Sequence, residues 1–265
     1  MSVKCRIIAI EGLDGVGKET MVMNLMNHFS KEGKKVKAVS FPRYNTKYGS
    51  IVSEFTHGKF GDPASIDPYF MGASYTLDRI DYFKNEIDLD QVMEEYDYLL
   101  MDRSYFSNFM YQAPKIAFDM VFSFDEYGSA RYILSQYVWE FIYTGLDKYL
   151  NNIRIFILRM SENDRELQMQ NRLETDMIED SEVYMLNVDN FLNMAIMRFP
   201  EVMDMNYDSL INTDQTNANI GERAFQAYYA NVVPVTMQHY TPENKDEITK
   251  NNIVSLISAI EKAYK

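Results

Sequence analysis

A glycine-rich segment near the start of the sequence carries chemistry in its residue types and spacing. Gly12, Gly17 and Lys18 form the pattern Gly-x-x-x-x-Gly-Lys of a phosphate-binding P-loop. A short apolar run that predicts a strand precedes it, and residues 18–31 follow with helical spacing. The residues predicted to bind a nucleotide through backbone N–H groups, the helix N-terminus and the lysine ammonium are Gly12, Gly15, Gly17, Lys18, Glu19 and Thr20.

Position 19 departs from the P-loop pattern, which places Ser or Thr there to bind Mg²⁺. One hypothesis is that the Glu19 carboxylate binds the metal, directly or through water, with Thr20 as the second choice. A carboxylate also suits the first turn of a helix. The other hypothesis is that Glu19 points to solvent and that Mg²⁺ is held by phosphates and water. The sequence leaves both open.

Asp102 and Arg103 close a predicted buried strand at residues 97–101. Asp102 is placed to bind Mg²⁺ or its waters, and Arg103 is placed to reach a phosphate. The alternative is a structural Asp–Arg pair without a ligand. The nearby P-loop favours the metal and phosphate interpretation.

Strand and helix patterns alternate along the chain, which predicts an α/β fold of the P-loop NTPase type, with a parallel sheet and helices on both faces. Strands are predicted at residues 6–10, 35–41, 97–101, 153–158 and 207–212. Helices are predicted at residues 18–31, 65–87, 130–149, 162–170, 183–197 and 248–264. Ligands of such sheets bind beyond the carboxyl ends of the strands. Residues 12–20, 42–44 and 102–104 should therefore share one edge.

Composition limits the partners and the compartment. The 265 residues carry 26 Lys and Arg against 39 Asp and Glu, a formal net charge of −13 that disfavours nucleic acid and anionic membranes as partners. Cys5 is the single cysteine, so no internal disulfide and no cysteine metal cluster is expected. The lack of a signal-peptide pattern and of a membrane-spanning stretch adds to the prediction of a cytoplasmic protein.

Four segments, IEGLDGVGKET, FPRYNTKYG, SYTLDRIDYF and DRSYFSNFMYQ, occur in the order and spacing found in thymidylate kinases. The resemblance covers roughly residues 5–215. It implies a nucleoside-monophosphate-kinase fold, ATP- and Mg²⁺-dependent phosphorylation of dTMP to dTDP, and a homodimer. We expect one domain over residues 1–231 with a lid around 160–182, and a helical extension over 232–265 packed on it; a dimer contact is the alternative role for this extension.

The resemblance also implies roles at the sugar and the acceptor phosphate. Asp14 matches the loop aspartate that approaches the sugar 3′-hydroxyl. Arg43 and Arg103 match the two arginines that bind the acceptor monophosphate. The resemblance thus places two cations and one carboxylate around the acceptor.

The base and nucleoside pocket follow from the same resemblance. Tyr75 matches an aromatic residue that stacks on thymine, although without the resemblance it reads as an ordinary core residue. Arg79 matches an arginine that hydrogen-bonds the base, and Asn108, Tyr111 and Gln112 match residues lining the nucleoside pocket. Whether thymine, uracil or a modified pyrimidine is preferred stays open.

The P-loop has no arginine to cover the transferring phosphoryl group, so the resemblance requires one from the lid. The candidates are Arg159, Arg165 and Arg172, of which Arg172 is favoured because the segment DMIED beyond it has no cation. The alternative is that Arg172 is a surface residue paired with an acid such as Glu174.

Transfer to a monophosphate needs positioning and charge neutralisation more than a base, because a phosphate with a second pKa of about 6 is mostly ionised at neutral pH. One alternative is a deoxynucleoside kinase, which needs a carboxylate base at the end of the second strand. Arg43 stands at that point instead. The other alternative, prompted by Glu19 and the acidic lid, is a P-loop protein that binds nucleotide without turnover.

Overall fold

The computed structural model describes residues 4–117, 137–169, 182–202, 232–241 and 243–264. Within these ranges, residues 116–117, 137–139, 182 and 194–202 are described by their backbone alone. The predicted strand at 207–212 and the predicted catalytic residue Arg172 therefore lie outside the described residues.

A parallel sheet forms the centre of the described chain and confirms the predicted α/β fold. Its five strands lie in the order β2-β3-β1-β4-β5. The strands are β1 (Arg6–Glu11), β2 (Val36–Ser40), β3 (Tyr98–Asp102), β4 (Ile153–Arg159) and β5 (Val232–Thr236). Their register aligns Ile10 of β1 and Ser40 of β2 with Asp102 of β3. The carboxyl ends of β1, β2 and β3 therefore meet at one edge, as predicted.

Strand burial follows position in the sheet. The central strands β1, β3 and β4 are nearly continuous apolar runs that are buried along almost their whole length, as expected where helices cover both faces. The outer strands β2 and β5 are less buried. Pro234 lies in β5, where the lost N–H is tolerated because the strand is at an edge of the described sheet.

The helices and the single-turn segments connect these strands. The α-helices are α1 (Lys18–Lys31), α2 (Gly49–Thr56), α3 (Pro68–Asp81), α4 (Leu89–Glu95), α5 (Tyr105–Ala117), α6 (Glu162–Met169), α7 (Glu182–Val202) and α8 (Lys245–Ala263). Tyr82–Glu86 and Tyr137–Ile142 are π-helical, and Leu146–Asn152 is a 3₁₀ helix. The sequence patterns missed α2, α4 and α5.

Two sequence predictions of secondary structure need correction. In the described part of the predicted helix 130–149, Gly145 has a φ of 82°, and the chain changes there from π-helical to 3₁₀ geometry instead of continuing an α-helix. The tail from residue 232, predicted as a helical extension with its helix at residues 248–264, first adds strand β5 beside β4. Only then does α8 follow, and it contacts both β5 and α1.

Lys115, on α5, should make the stability of the fold depend on pH. Its Nζ donates to the backbone oxygen of Pro63 at 2.5 Å and lies 5.3 Å from the Tyr184 ring centre. Burial lowers the pKa of Lys115 to about 8, although Asp62 and Asp67 oppose the shift. Above about pH 8, Lys115 has lost its proton in the folded chain but still holds it in the unfolded chain. The free energy of unfolding should therefore rise with pH.

Urea unfolding at pH 7.5, 8.5 and 9.5 tests this contribution. The wild type should gain free energy of unfolding relative to Lys115→Met as pH rises, by at most about 1 kcal/mol per pH unit. Lys148→Met, at an exposed lysine, is the matched control and should follow the wild type. Parallel curves for wild type and Lys115→Met would contradict the shifted pKa.

Candidate active site

The loop between β1 and α1 has the backbone form of a phosphate cradle. Gly12 has a φ of 139°, and a Cβ atom there would lie 2.5 Å from the carbonyl oxygen of Leu158. Only glycine fits this approach. Gly17, at φ 84°, is the N-cap of α1, and it supplies no side-chain cap. The first N–H groups of α1 and the positive end of its dipole are therefore available to an anion.

Several polar and charged groups at this edge of the sheet contact the Asp14 carboxylate. The Lys18 ammonium donates to Asp14 Oδ1 at 3.2 Å and to the Leu13 carbonyl oxygen at 2.9 Å. The Arg103 guanidinium donates from Nη2 to the same Oδ1. The Tyr111 hydroxyl donates to Asp14 Oδ2 at 3.0 Å. Groups from the P-loop, from the turn after β3 and from α5 thus meet at Asp14.

The charged groups around Asp14 shift one another's pKa. Burial raises the pKa of Asp14, but Arg103 and Lys18 outweigh burial and hold that pKa well below its usual range. Burial lowers the pKa of Lys18, and Arg103 lowers it further, while Asp14 and Asp102 oppose both. Asp14 therefore stays ionised, and its carboxylate and that of Asp102 both act on the two cations of this edge.

A small cavity of about 40 Å³, open to solvent, lies beside this group. Its lining residues are Asp14, Pro42, Tyr44, Thr56, Tyr75, Arg103, Ser107, Asn108, Tyr111 and Gln112. The ends of three neighbouring strands, together with α2, α3 and α5, contribute to it. The structure thus brings together six of the predicted site residues, with Tyr75 facing the same space as the charged group.

The side-chain amides of Asn108 and Gln112, both on α5, differ in their hydrogen bonds. Asn108 Nδ2 donates to the Gly72 carbonyl oxygen and to Thr76 Oγ1, both at 3.0 Å, so its N–H groups are used within the protein. Gln112 is 1% exposed, and its Oε1 has no hydrogen-bond partner among the described residues. A buried carbonyl oxygen without a donor favours a ligand that supplies one.

Arg79 lies elsewhere than predicted. Its guanidinium is buried and donates to Glu140, from Nε to Oε1 at 2.5 Å and from Nη2 to Oε2 at 2.9 Å. It is absent from the lining of the cavity. Burial raises the pKa of Glu140, while Arg79 lowers it. In this structure Glu140 holds the guanidinium behind the cavity wall, and the base contact of Arg79 stays a prediction.

Arg43 is also held away from the cavity. Its guanidinium contacts three carboxylates, those of Asp78, Asp81 and Glu86, with the Asp78 and Asp81 contacts at 3.0 Å. Burial lowers the pKa of Arg43, but Asp78 and the other two acids outweigh burial and raise it. Three acids surround one arginine in this arrangement, and the binding of the acceptor phosphate by Arg43 stays a prediction.

The candidate metal ligands differ in exposure. Asp102 is buried, and its Oδ2 accepts from the Ser40 hydroxyl at 3.2 Å. Its Oδ1 is buried without a hydrogen-bond partner among the described residues, which fits an oxygen ligand of Mg²⁺ or of a metal-bound water. Glu19 lies exposed in the first turn of α1. Among the described residues, no three or more His, Cys, Asp or Glu side chains form a group that could hold a metal ion.

Glu11 is a site residue that the sequence reasoning missed. This last residue of β1 is fully buried, and its carboxylate accepts hydrogen bonds from Ser104 and Ser107. Burial raises the pKa of Glu11, and the serine hydrogen bonds oppose the rise. The available signal was an acidic residue ending an otherwise apolar strand immediately before the P-loop.

The lid region contributes Arg165 to the P-loop. A Cβ atom at Gly15 would lie 3.0 Å from Arg165 Cγ, so the side chain lies directly on the loop. Arg159, at the end of β4, donates to Asn193. Both arginines line a second, small cavity of about 20 Å³ on this side of the loop. The favoured Arg172 lies outside the described residues, and its role stays a prediction.

Comparison with known proteins identifies the part of the chain that contains this site. Residues 10–134 match the family model of thymidylate kinase. This segment is similar to thymidylate kinases. A curated thymidylate kinase of Mycobacterium tuberculosis is 36% identical over 111 residues, which are 42% of this chain and 50% of that protein. The chain thus spans about half the length of this relative.

The fold comparison extends over the whole chain. A thymidylate kinase structure from Candida albicans superposes with a TM-score of 0.59, covering 100% of this chain and 96% of that one at 13% identity. At this identity the likeness concerns the fold alone, and it agrees with the predicted α/β fold of the P-loop NTPase type. None of the described helices combines the length and apolar character that a bilayer crossing requires.

Proposed function

We propose that this protein transfers the γ-phosphoryl group of ATP to dTMP, giving dTDP. The observation that carries the proposal is the meeting of Arg103, Lys18 and Asp14 between a P-loop and a cavity lined by Tyr75 and Gln112. The family match of the segment containing these residues supports the same reaction. Two anionic reactants need local cations in a protein of net charge −13.

On the acceptor side, Arg103 binds the monophosphate, and Tyr75 stacks on the base. Asp14 and Tyr111 contact the sugar, and Gln112 supplies its unpaired carbonyl oxygen to a donor on the nucleoside. The proposed base contact of Arg79 and phosphate contact of Arg43 would require each to leave the carboxylates that now bind it. Arg103 is therefore the principal cation of the acceptor side.

On the donor side, the loop from Gly12 to Gly17 and the N-terminus of α1 bind the phosphates, and Lys18 neutralises charge at the transferring group. Asp102 holds Mg²⁺ or its water ligands. When bound, this ion offsets charge on the donor phosphates. An arginine of the lid covers the transferring phosphoryl group. The sequence favours Arg172, and the contact of Arg165 with the P-loop supports Arg165 as a second candidate.

One assay separates the candidate functions. Purified protein is incubated with ATP and Mg²⁺, together with dTMP, thymidine or no acceptor, and nucleotide products are resolved by chromatography. We expect dTDP and ADP with dTMP, and neither product above background in the other two reactions. Nucleotide binding without product in any reaction would instead indicate a non-catalytic P-loop protein.

A deoxynucleoside kinase remains the second candidate because of one observation. Arg43, the predicted second acceptor arginine, is bound by three carboxylates, which lowers the positive charge available to an acceptor phosphate. A neutral 5′-hydroxyl acceptor would not need that charge. Formation of dTMP from thymidine in the assay would favour this function.

Asp102 should control the Mg²⁺ requirement. Asp102→Asn keeps the side-chain shape and removes the charge, so we expect the Mg²⁺ concentration for half-maximal activity to rise by about 10–100-fold. Activity is measured against Mg²⁺ at saturating ATP and dTMP. An unchanged Mg²⁺ requirement would contradict this role. Glu19→Ser, measured in parallel, separates the two hypotheses for Glu19, because only a metal ligand would raise the requirement.

A homodimer in the cytoplasm is proposed from the family resemblance. Light scattering coupled to size-exclusion chromatography would report the mass of the particle. A mass of one chain at assay concentrations would refute the dimer.

A further inference from the structure

The buried carboxylate of Glu11 is bound by two serines that follow β3. Oε1 accepts from the Ser104 N–H at 2.6 Å, the Ser104 hydroxyl at 2.7 Å and the Ser107 N–H at 3.2 Å. Oε2 accepts from the Ser107 hydroxyl at 2.7 Å. Burial of a carboxylate is costly unless hydrogen bonds replace its water. The proposed reaction gives this acid no chemical role.

Arg103 depends on its surroundings for its backbone conformation. It has a φ of 68°, a left-handed conformation that is unfavourable for a non-glycine residue. Such a residue persists where its neighbours fix it. Its own N–H donates to the Ile10 carbonyl oxygen at 3.0 Å. The next residue, Ser104, is fixed at two atoms by Glu11. The end of β1 therefore holds Arg103 from both sides.

The same carboxylate lies at the N-terminus of α5, which begins at Tyr105. The Glu11 carboxylate accepts hydrogen bonds from the N–H groups of Ser104 and Ser107. It therefore stabilises the N-terminus of α5 as a charged N-cap side chain does, although Glu11 belongs to β1. The cavity residues Asn108 and Gln112 follow on α5. The position of Glu11 therefore sets the position of one wall of the cavity.

We propose that Glu11 is a positioning residue that couples the P-loop to the acceptor side of the site. It holds Arg103 in its left-handed turn and fixes α5 relative to Gly12, the residue that follows it in the chain. Arg103 in turn reaches back to Asp14 in the P-loop. The inference rests on the proposed function, because Arg103 acts on a phosphate only if the acceptor carries one.

Chemical labelling of Arg103 tests the coupling without using activity. Wild type, Glu11→Met and Glu11→Gln are treated with phenylglyoxal, and the modified peptides are quantified by mass spectrometry. We expect Arg103 to react several-fold faster in Glu11→Met, which leaves the serine donors unpaired and frees the turn. Arg43, whose carboxylate partners are unchanged, is the internal control. Labelling of Arg103 at the wild-type rate in folded Glu11→Met would overturn the proposal.

Steady-state kinetics separate positioning from a merely structural role. Glu11→Met should raise the KM for dTMP and lower kcat, by about 10–100-fold in kcat/KM. Glu11→Gln should recover most of this loss, because its carbonyl can accept from the three Oε1 donors and its NH₂ can donate to the Ser107 hydroxyl. A lower melting temperature with unchanged KM and kcat would mean that Glu11 is structural only, and would overturn the inference.

Two further outcomes are covered by these experiments. If Glu11→Met does not fold by circular dichroism, the double variant Ser104→Ala, Ser107→Ala removes both hydroxyl donors and carries the test. Unchanged Arg103 labelling and unchanged kcat/KM in that variant would overturn the proposal. If wild type itself phosphorylates no nucleotide, the proposed function fails, while the labelling still decides whether Glu11 holds Arg103.

Discussion

Replacing Lys18 with methionine should lower kcat for phosphoryl transfer to dTMP by about 10²–10³-fold, the usual effect of removing one preorganised donor from a transition state. Lys18 lies at the start of α1 and donates to Asp14 and to the Leu13 carbonyl oxygen. Methionine keeps the length of the side chain and removes its charge. In the variant Arg103 still pairs with Asp14, so the fold should be retained.

The measurement is kcat under saturating ATP, dTMP and Mg²⁺, with circular dichroism to confirm folding. Lys31→Met is the matched control, because Lys31 lies exposed in the last turn of the same helix. It should retain wild-type kcat. A folded Lys18→Met enzyme with more than a tenth of wild-type kcat would rule out Lys18 as a principal catalytic cation.

Replacing Arg79 with methionine should lower the free energy of unfolding by about 3–5 kcal/mol, the usual cost of breaking a buried ion pair from one side. Arg79 and Glu140 are each 1% exposed and share two hydrogen bonds. Without the guanidinium, the pKa of Glu140 rises further above that of the unfolded chain. As pH rises, Glu140 loses its proton in the unfolded chain before it does so in the folded chain. The loss of stability caused by Arg79→Met should therefore grow as pH rises from 5 to 8.

Urea denaturation measures this effect at both pH values. The double variant Arg79→Met, Glu140→Leu removes both charges and should recover most of the lost free energy, because a buried ion pair contributes little beyond an apolar pair. Lys148→Met breaks the exposed pair with Asp90 and should cost only about 0–1 kcal/mol. A similarly small loss in Arg79→Met would show that Glu140 is solvated or already neutral.

The sequence predicted the central strands and α1 closely because their patterns are simple. β1, β3 and β4 are apolar runs, and α1 begins at a P-loop lysine. Helix α5 was missed although Phe106, Phe109, Met110 and Ala113 are buried at helical spacing. Polar residues that are also buried, Ser107, Asn108 and Gln112, alternate with them and interrupt the apolar pattern.

The sequence predicted those parts of the candidate site whose geometry depends on residues that are close together in the sequence. The P-loop follows from its glycine spacing, and Asp102 and Arg103 follow from the end of a buried strand. The states of Arg43 and Arg79 were not predictable, because they depend on carboxylates brought near by the fold. Glu140 lies 61 residues from Arg79 in sequence, and no local pattern joins the two.

Strand β5 bears on how the protein avoids aggregation. It pairs with β4 from Ile155 to Arg159, and the proline that it carries withholds a hydrogen-bond donor from any further strand. Without β5, a long apolar strand would present its unpaired backbone groups to other molecules, which is the arrangement that promotes intermolecular β-pairing. The segment 232–236, late in the chain, thus covers the edge of a sheet whose candidate nucleotide-binding residues, Gly12 to Thr20, lie near the start of the sequence.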